Sequence, residues 1–243
     1  MLKYSLPIGA IVVLSFLPTI LKAQSKQTDV DFLQQSTASA IKSYHDLVSV
    51  QKHLYTGTEY AVVKKNYVKG HQFFLDELPQ QGSILYDGAW FENVPLQFDL
   101  AMDEVVAIQG GNMYKVKLVK QKIKAFNIGG YAFTHIKHDS TGTIAPGFYN
   151  VLFDGKASFL AKRAKVLQEK ATTTGMEGEY RFIDKYYIYK DGAYHQVKSK
   201  GSVLRVFRED KKQLSKFLRD NNIKFSGNRE DAILSIVQHY ESL

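Results

Sequence analysis

The sequence predicts an α+β protein: an N-terminal helix, a curved antiparallel multi-stranded β-sheet or partly open barrel, and two amphipathic C-terminal helices packed on it. Three observations predict this fold. Apolar residues recur at helical spacing before about residue 50, alternate singly from Gly82 to Val197, and return to helical spacing after Gly201. A chain with one amphipathic sheet and separate helices must bury its apolar surfaces against each other.

The first twenty-three residues have the layout of a secretory signal peptide. Lys3 gives a positive start, a mostly apolar run extends from Leu6 to Leu21, and Ala23 ends a small-residue cleavage site. A permanent membrane anchor is the alternative, but the run is shorter than the roughly 20 residues of a span, and Pro7 and Pro18 interrupt it. We therefore expect export, to the periplasm or the outer membrane.

Residues 24–57 are expected to form a polar segment and then a helix. Ile41, Tyr44, Leu47 and Val48 repeat at three- and four-residue steps up to about Val50. Residues 58–200 are expected to form the antiparallel β domain. Residues 201–243 are expected to form the helical end of the chain.

Three Asp-Gly pairs lie between alternating runs and predict β-hairpins, because both residues of a tight two-residue turn need positive φ. They are Asp87-Gly88, Asp154-Gly155 and Asp191-Gly192. About ten short strands fit between Gly82 and Val197. Thr172 to Gly178 is interpreted as a flexible interruption.

The C-terminal region carries helix-start signals. Asp210 with Gln213, and Asn228 with Asp231, have the spacing of helix N-caps. A short helical turn is expected before them, around Val203. The last helix is expected to bury Ala232, Ile233, Ile236, Val237 and Tyr240.

Composition excludes several classes of protein. The chain has no cysteine, so it has neither disulfides, nor a lipid-attachment cysteine, nor thiol chemistry. The formal net charge of +8 falls to +6 when Lys3 and Lys22 leave with the signal. For an exported protein this charge favours anionic lipid, an acidic glycan or an envelope protein as partner, with peripheral membrane contact, rather than nucleic acid. The alternative is that the charge serves solubility alone.

Two stretches carry a family resemblance. Leu54 to Tyr60 is followed by the Gly82–Gly88 and Phe91–Leu100 strands, and basic and apolar residues interleave from Asp210 to Tyr240. This pattern resembles uncharacterised exported β-rich envelope proteins of the Bacteroidetes type. The resemblance implies an envelope location and no known activity, so it assigns no catalytic residue.

Candidate chemistry is sparse. His135, His138 and Asp139 are metal-ligand types, but His135 and His138 point to opposite faces of a continuous strand, so no metal site is assigned. His71 could act as a base beside an apolar pocket. Four carboxylates could supply an acid/base pair, although the last two indicate a turn: Glu92, Asp99, Asp103 and Glu104. No catalytic or cofactor-binding motif is present, so no cofactor and no catalytic residue is assigned.

Lys115, Lys117, Lys122 and Lys124 would project from one face as a basic ladder if their two strands paired. Such a ladder could bind an anionic partner, or it could be a solvated face that discourages edge-to-edge aggregation. Trp90 and Tyr194 are candidates to line a sugar or peptide groove.

These patterns predict a non-enzymatic exported envelope protein, a binding or assembly module for a partner protein, glycan or lipid. One alternative is an envelope hydrolase that uses Asp99, Glu92 or His71. Another is a periplasmic acyl-chain carrier, which would need an apolar cavity lined by residues such as Phe98, Val116 and Phe133.

Overall fold

A computed structural model describes residues 36–37, 39, 53–62, 64–109, 114–139 and 141–243. The chain divides into two compact units, Met1–Val48 and Ser49–Leu243. In the first unit, Ser36, Thr37 and Ser39 are helical and exposed. The predicted signal peptide and nearly all of the predicted N-terminal helix lie outside the described residues. Within the described ranges, no helix is both long enough and apolar enough to cross a membrane.

In its described residues the second unit contains fourteen strands, most of them in one antiparallel sheet, as predicted. Eleven strands form this sheet in the order β1-β6-β5-β4-β3-β7-β8-β9-β10-β13-β14, and β11, β12 and β2 form a second, smaller sheet. The large sheet ends at β1 and β14 and is not closed into a barrel. The strands are β1 Thr58–Glu59, β2 Val68–Lys69, β3 Gln80–Tyr86, β4 Ala89–Asp99, β5 Glu104–Gln109, β6 Tyr114–Lys117, β7 Ile123–Ile128, β8 Tyr131–Ile136, β9 Gly147–Phe153, β10 Ser158–Lys162, β11 Lys165–Thr172, β12 Gly175–Phe182, β13 Lys185–Lys190 and β14 Ala193–Val197.

Two of the three Asp-Gly turns have the predicted geometry. Asp87-Gly88 joins β3 to β4 and Asp191-Gly192 joins β13 to β14, with φ of +52° and +86° in the first turn and +52° and +79° in the second. Asp154-Gly155 also lies between paired strands, but in a longer connection between β9 and β10, and neither residue has positive φ. A further two-residue turn, Gly129-Gly130, joins β7 to β8.

One face of the large sheet, here called the inner face, is apolar along most of its width. Over the neighbouring strands β4, β3, β7, β8 and β9 it curls around a cluster of phenylalanines whose ring centres are 4.8 to 5.8 Å apart. Edge-to-face and stacked pairs at these distances add to the stabilisation that comes from burial alone. The four residues of the cluster are at most 2% exposed: Phe98, Phe126, Phe133 and Phe148.

Three helices cover the inner face of β10, β13 and β14. They confirm the predicted C-terminal helical region in outline. They are α1 Lys200–Val206, α2 Lys211–Asp220 and α3 Arg229–Glu241. Asn228 caps α3 as predicted, because its side chain accepts a hydrogen bond from the Asp231 amide. Asp210 occupies the N-cap position of α2 as predicted, but its side chain makes no capping hydrogen bond. The α3 residues Ala232, Ile233, Ile236 and Val237 are buried as expected, and Tyr240 is half-buried.

The predicted flexible interruption at Thr172–Gly178 is wrong. Strands β11 and β12 pair along their whole length, from Lys165↔Phe182 to Thr172↔Gly175, and form a hairpin. Thr172 Oγ1 donates a hydrogen bond to the Gly175 carbonyl and helps to close the turn. The run of polar and small residues at the turn weakens the alternation signal of the two strands, although it suits a hairpin end.

Arg163 ties the sheet to α3. Its guanidinium donates two hydrogen bonds to the Glu230 carboxylate, of 2.6 and 2.9 Å, and one of 2.6 Å to Asp184. It also donates to Asn150 Oδ1 on β9. The Arg163 side chain is 11% exposed, so its ion pairs with Glu230 and Asp184 are largely removed from water.

We predict that Arg163→Ala lowers the free energy of unfolding by about 3 kcal/mol, because Glu230 and Asp184 would be left as uncompensated, largely buried charges. Urea unfolding followed by circular dichroism measures the change. Arg181→Ala is the matched control. Arg181 is 61% exposed and, among the described residues, its side chain bonds Glu179 alone, so its loss should change stability by less than about 0.5 kcal/mol. Equal effects of the two substitutions would contradict the assignment.

Candidate functional site

The outer face of the large sheet, opposite the helices, carries an open groove of about 590 Å³. Cross-strand register places Val151, Leu160, Ser158, Tyr189 and Tyr194 on this same face of β9, β10, β13 and β14. We call the depression the tyrosine groove. Its lining residues are Thr134, His135, Ile136, Lys137, His138, Val151, Asp154, Ser158, Leu160, Tyr189 and Tyr194.

Tyr189 and Tyr194 are a directly opposed cross-strand pair whose ring centres are 4.7 Å apart at an angle of 45°. Tyr189 is 38% exposed and Tyr194 is half-buried. In the described part of the chain, neither phenol oxygen hydrogen-bonds another protein group. Burial raises the pKa of Tyr194, so its hydroxyl stays protonated and able to donate at neutral pH. The groove therefore presents two aromatic surfaces with free polar ends.

Polar groups border these rings. Ser158 Oγ donates a 2.7 Å hydrogen bond to Asp154 Oδ1, which leaves Oδ2 of the same carboxylate available. His138 lies beyond the end of β8 and is exposed. The Lys137 ammonium donates a 2.8 Å hydrogen bond to the Gln121 carbonyl. Apolar floor and polar rim together are typical of small-molecule and sugar sites.

The candidate metal ligands do not come together. His135 lies between Thr134 and Ile136 on β8, so its side chain alternates to the inner face, where its ring is 4.7 Å from that of Phe148. Its Nδ1 lies 2.9 Å from the Ile123 carbonyl. The Asp139 carboxylate accepts hydrogen bonds from the Thr141, Thr143 and Ile144 amides and organises a loop. No group of three metal-ligating side chains occurs among residues for which positions are given.

The predicted lysine ladder does not form, because its two strands are not neighbours. β5, β4 and β3 lie between β6, which carries Lys115 and Lys117, and β7, which carries Lys124. At about 4.8 Å per strand this separates them by roughly 19 Å along the sheet. Lys117 pairs with Glu104 at 3.2 Å, and Lys122 precedes β7 and pairs with Asp87 at 3.0 Å. The four lysines therefore do not form one ladder. Their binding of an anionic partner stays a prediction.

Of the two aromatic candidates, Tyr194 lies in the tyrosine groove and Trp90 does not. Trp90 is on β4 beside the Asp87-Gly88 turn, pairs with Leu85 and is 50% exposed. Tyr189, which is not among the residues that the sequence singled out, is the partner of Tyr194 across the hairpin. Their symmetric placement about Asp191-Gly192 is the signal that could have found it, since residues equidistant from a two-residue turn face each other.

No hydrogen bond joins any two of the hydrolase candidates Asp99, Glu92 and His71 in the described residues. Asp99 alternates with the apolar residues Phe98 and Leu100, a pattern that predicts a solvent-facing side chain, but it is 2% exposed. It accepts a 2.5 Å hydrogen bond from Tyr60 and two from the Ala101 and Met102 amides, and so holds a turn together. Glu92 is exposed on β4. The segment around Tyr60 and Phe73 crosses the outer face there, which explains why alternation misplaced Asp99.

Asp103 is also more than a turn residue. Its carboxylate lies 2.5 Å from both the Lys120 and the Lys162 ammonium groups, which come from distant parts of the chain. Burial lowers the pKa of Lys162, although the neighbouring Asp103 acts in the opposite direction. This cluster fixes the Asp103 turn against β10.

His71 lines a second, smaller cavity of about 170 Å³, here called the His71 cavity. Its Nδ1 is buried and has no hydrogen-bond partner among the described residues. The ring lies 6.2 Å from that of Phe73. Residues 62–77, β6, β11 and β12 contribute the walls: Val62, Lys64, Lys65, Val68, Gly70, His71, Gln72, Phe73, Glu77, Lys115, Leu167 and Tyr180.

The residues suggested for an acyl-chain cavity do not enclose open space together. The rings of Phe98 and Phe133 are 5.1 Å apart in the packed aromatic cluster, and Val116 lies half-buried on β6. Phe126 and Phe148 fill the surroundings of these rings. This part of the interior therefore offers an acyl chain no room.

We predict that stability falls as the pH decreases from about 7.5 to about 5.5. Burial lowers the pKa of both His71 and His135 from 6.5, with Lys165 adding to the effect at His71. The unfolded chain therefore binds more protons than the folded protein in this range, and proton uptake favours unfolding. Urea unfolding across this range should show a shallower pH dependence for His71→Gln/His135→Gln than for the unaltered protein. An unchanged slope would contradict this prediction.

Comparison with protein-family models, with curated proteins and with solved structures finds no match to this chain. The resemblance to exported Bacteroidetes proteins therefore stays a prediction. The function has to be inferred from the geometry and chemistry of the tyrosine groove and the His71 cavity.

Proposed function

We propose that this chain is a non-enzymatic, exported envelope protein that binds a glycan in the tyrosine groove. The adjacent, accessible rings of Tyr189 and Tyr194 on an uncovered part of the sheet carry this proposal. Tyr189 is 38% exposed, and Tyr194 packs partly on the buried cluster beneath the groove while part of its ring stays accessible. An accessible aromatic pair of this kind is typical of a surface that receives a ligand.

The chemistry of the groove suits a sugar better than a lipid. A pyranose has one face of C–H groups, which packs on an aromatic ring, and a rim of hydroxyls that donate and accept hydrogen bonds. The free phenol oxygens, the second oxygen of Asp154 and the exposed His138 ring can serve these hydroxyls. The groove volume of about 590 Å³ falls within the usual range for small-ligand sites.

The arrangement supports binding rather than hydrolysis. A glycosidase needs two carboxyl groups flanking the scissile bond, about 5 to 10 Å apart. Asp154 is the one carboxylate among the groove residues, while Asp99 is committed to a buried turn. The expected export of the chain would bring the groove to envelope polysaccharides.

We predict that Tyr189→Ala and Tyr194→Ala each weaken glycan binding by about tenfold or more, because each removes an aromatic contact surface. Binding is first located on an array of immobilised bacterial oligosaccharides. The strongest binder is then titrated into each purified variant by calorimetry.

Tyr114→Ala is the matched control, since Tyr114 is 63% exposed on the distant strand β6. It should bind as the unaltered protein does, and circular dichroism should show all three variants folded. Binding of no oligosaccharide, or equal binding by the groove variants and the Tyr114 variant, would contradict the proposed function.

A further inference from the structure

The large sheet ends at β14, and part of the backbone of this strand has no hydrogen-bond partner. In a hairpin with a two-residue turn the first pair of residues is hydrogen-bonded and bonding then alternates, so the N–H and C=O groups of Tyr194 and Gln196 point away from β13. None of these four groups is bonded among the described residues. The next amide in the series, that of Lys198, donates a 2.9 Å hydrogen bond to Ser202 Oγ. The edge is therefore closed at one end and open at two residues.

This edge lacks the devices that normally prevent strand addition. The β14 sequence has no charged residue and no proline, and its register with β13 contains no bulge. Soluble proteins commonly protect sheet edges with charges, proline, bulges or very short strands. The opposite end of the large sheet, β1, is two residues long, and β11 at the edge of the smaller sheet carries Lys165, Glu169 and Lys170. Of these three edges, β14 is the one suited to accept another strand.

An open groove of about 660 Å³ borders the same edge. Its lining includes residues 193–196 of β14 and residues 205–210, which end α1 and lead into α2. We call it the β14 groove. His195 and Gln196 are exposed there. Because an added strand lies about 4.8 Å from its neighbour, the groove provides space for such a strand beside β14.

The charged side chains that line the β14 groove are equal in number for the two signs. The positive ones are Lys190, Arg205 and Arg208, and the negative ones are Asp191, Glu209 and Asp210. Within this set, the described residues form one ion pair, between Lys190 and Asp191. A surface of a single sign would repel an identical surface, whereas a surface that carries both signs can complement itself across a two-fold axis.

We infer that the chain forms a two-fold dimer in which β14 pairs antiparallel with β14 of a second copy, centred on His195. In this register Tyr194 of each copy exchanges two backbone hydrogen bonds with Gln196 of the other, so four bonds join the copies. The exposed Asp191-Gly192 turn of one copy then lies beside Lys198 of the other. A short edge buries little surface, so the dimer is reversible, with a Kd on the order of micromolar.

The second copy also reaches the tyrosine groove. Tyr194 and Gln196 are two residues apart on β14, so their side chains share the outer face. In the dimer the Gln196 side chain of one copy is directly opposite Tyr194 of the other and adds an amide to the rim of that groove. Dimerisation itself does not depend on glycan binding and is measured without a glycan.

The first test is sedimentation of the purified chain from about 1 μM to about 500 μM, which should show conversion of monomer to dimer. Hydrogen exchange at the two ends of this range locates the interface. The Tyr194 and Gln196 amides should gain protection with concentration, whereas the His195 amide, which already bonds Ile188 of β13, should not change. A monomer at every concentration, or protection gained elsewhere but not at β14, would overturn the inference.

The second test is a charge exchange at the centre of the interface. His195→Glu and His195→Lys each place like charges opposite each other in the dimer and should each weaken dimerisation about tenfold or more. An equal mixture of the two variants should dimerise again, because the introduced carboxylate of one copy faces the introduced ammonium of the other. Unchanged dimerisation of the separate variants, or no recovery in the mixture, would overturn the two-fold pairing.

A third variant removes the backbone donor. The Gln196 amide points away from β13, so Gln196→Pro should leave the β13–β14 bonds intact, remove two of the four bonds between copies and weaken dimerisation about tenfold or more. Gln168→Glu is the matched control for His195→Glu, since Gln168 is exposed on β11 and the change adds a carboxylate far from β14. Equal losses for these two glutamate variants would overturn the inference. If Gln196→Pro fails to fold, the mixture of the His195 variants still decides the question.

Discussion

The fold depends on covering one continuous apolar sheet face. On β4, β3, β7, β8 and β9 the sheet covers that face by curling around its own phenylalanines. On β10, β13 and β14 the three helices cover it. Helices of 7 to 13 residues are not stable alone, so the position of all three depends on this surface. The Arg163 network adds orientation at the junction, because a forked guanidinium bonds Glu230 of α3 only in one geometry.

Local chemistry was sufficient to predict the hairpins and the last helix. Asp87-Gly88 and Asp191-Gly192 need no tertiary information, since the turn itself requires positive φ at both positions. Asn228 is similarly local, as its side chain bonds an amide three residues later. These features are confirmed because neighbouring residues set the turn conformation and the helix cap, whatever tertiary packing later adds to their stability.

The order of strands could not be predicted in this way. Alternation along β6 and β7 places Lys115 and Lys124 on a polar face, but it does not say which strands are paired. Strand β3 pairs with β7 across the intervening residues of β4, β5 and β6, and this removes the lysine ladder. The burial of Asp99 and the existence of the His71 cavity could not be predicted from the sequence for a related reason. Both depend on residues 60–62 and 64–77 crossing the outer face, and this part of the sequence has no periodic signal of its own.

The β11–β12 hairpin is an excursion from the large sheet. Lys162 at the end of β10 and Lys185 at the start of β13 are directly paired, so the hairpin leaves and returns at one point while its neighbours remain bonded. It nevertheless supplies Leu167 and Tyr180 to the His71 cavity. In evolutionary terms, chain length can change here at little cost to the scaffold, because loop tips tolerate insertion and deletion. A lineage could therefore gain, reshape or lose the cavity by altering one hairpin while the aromatic core stays as it is.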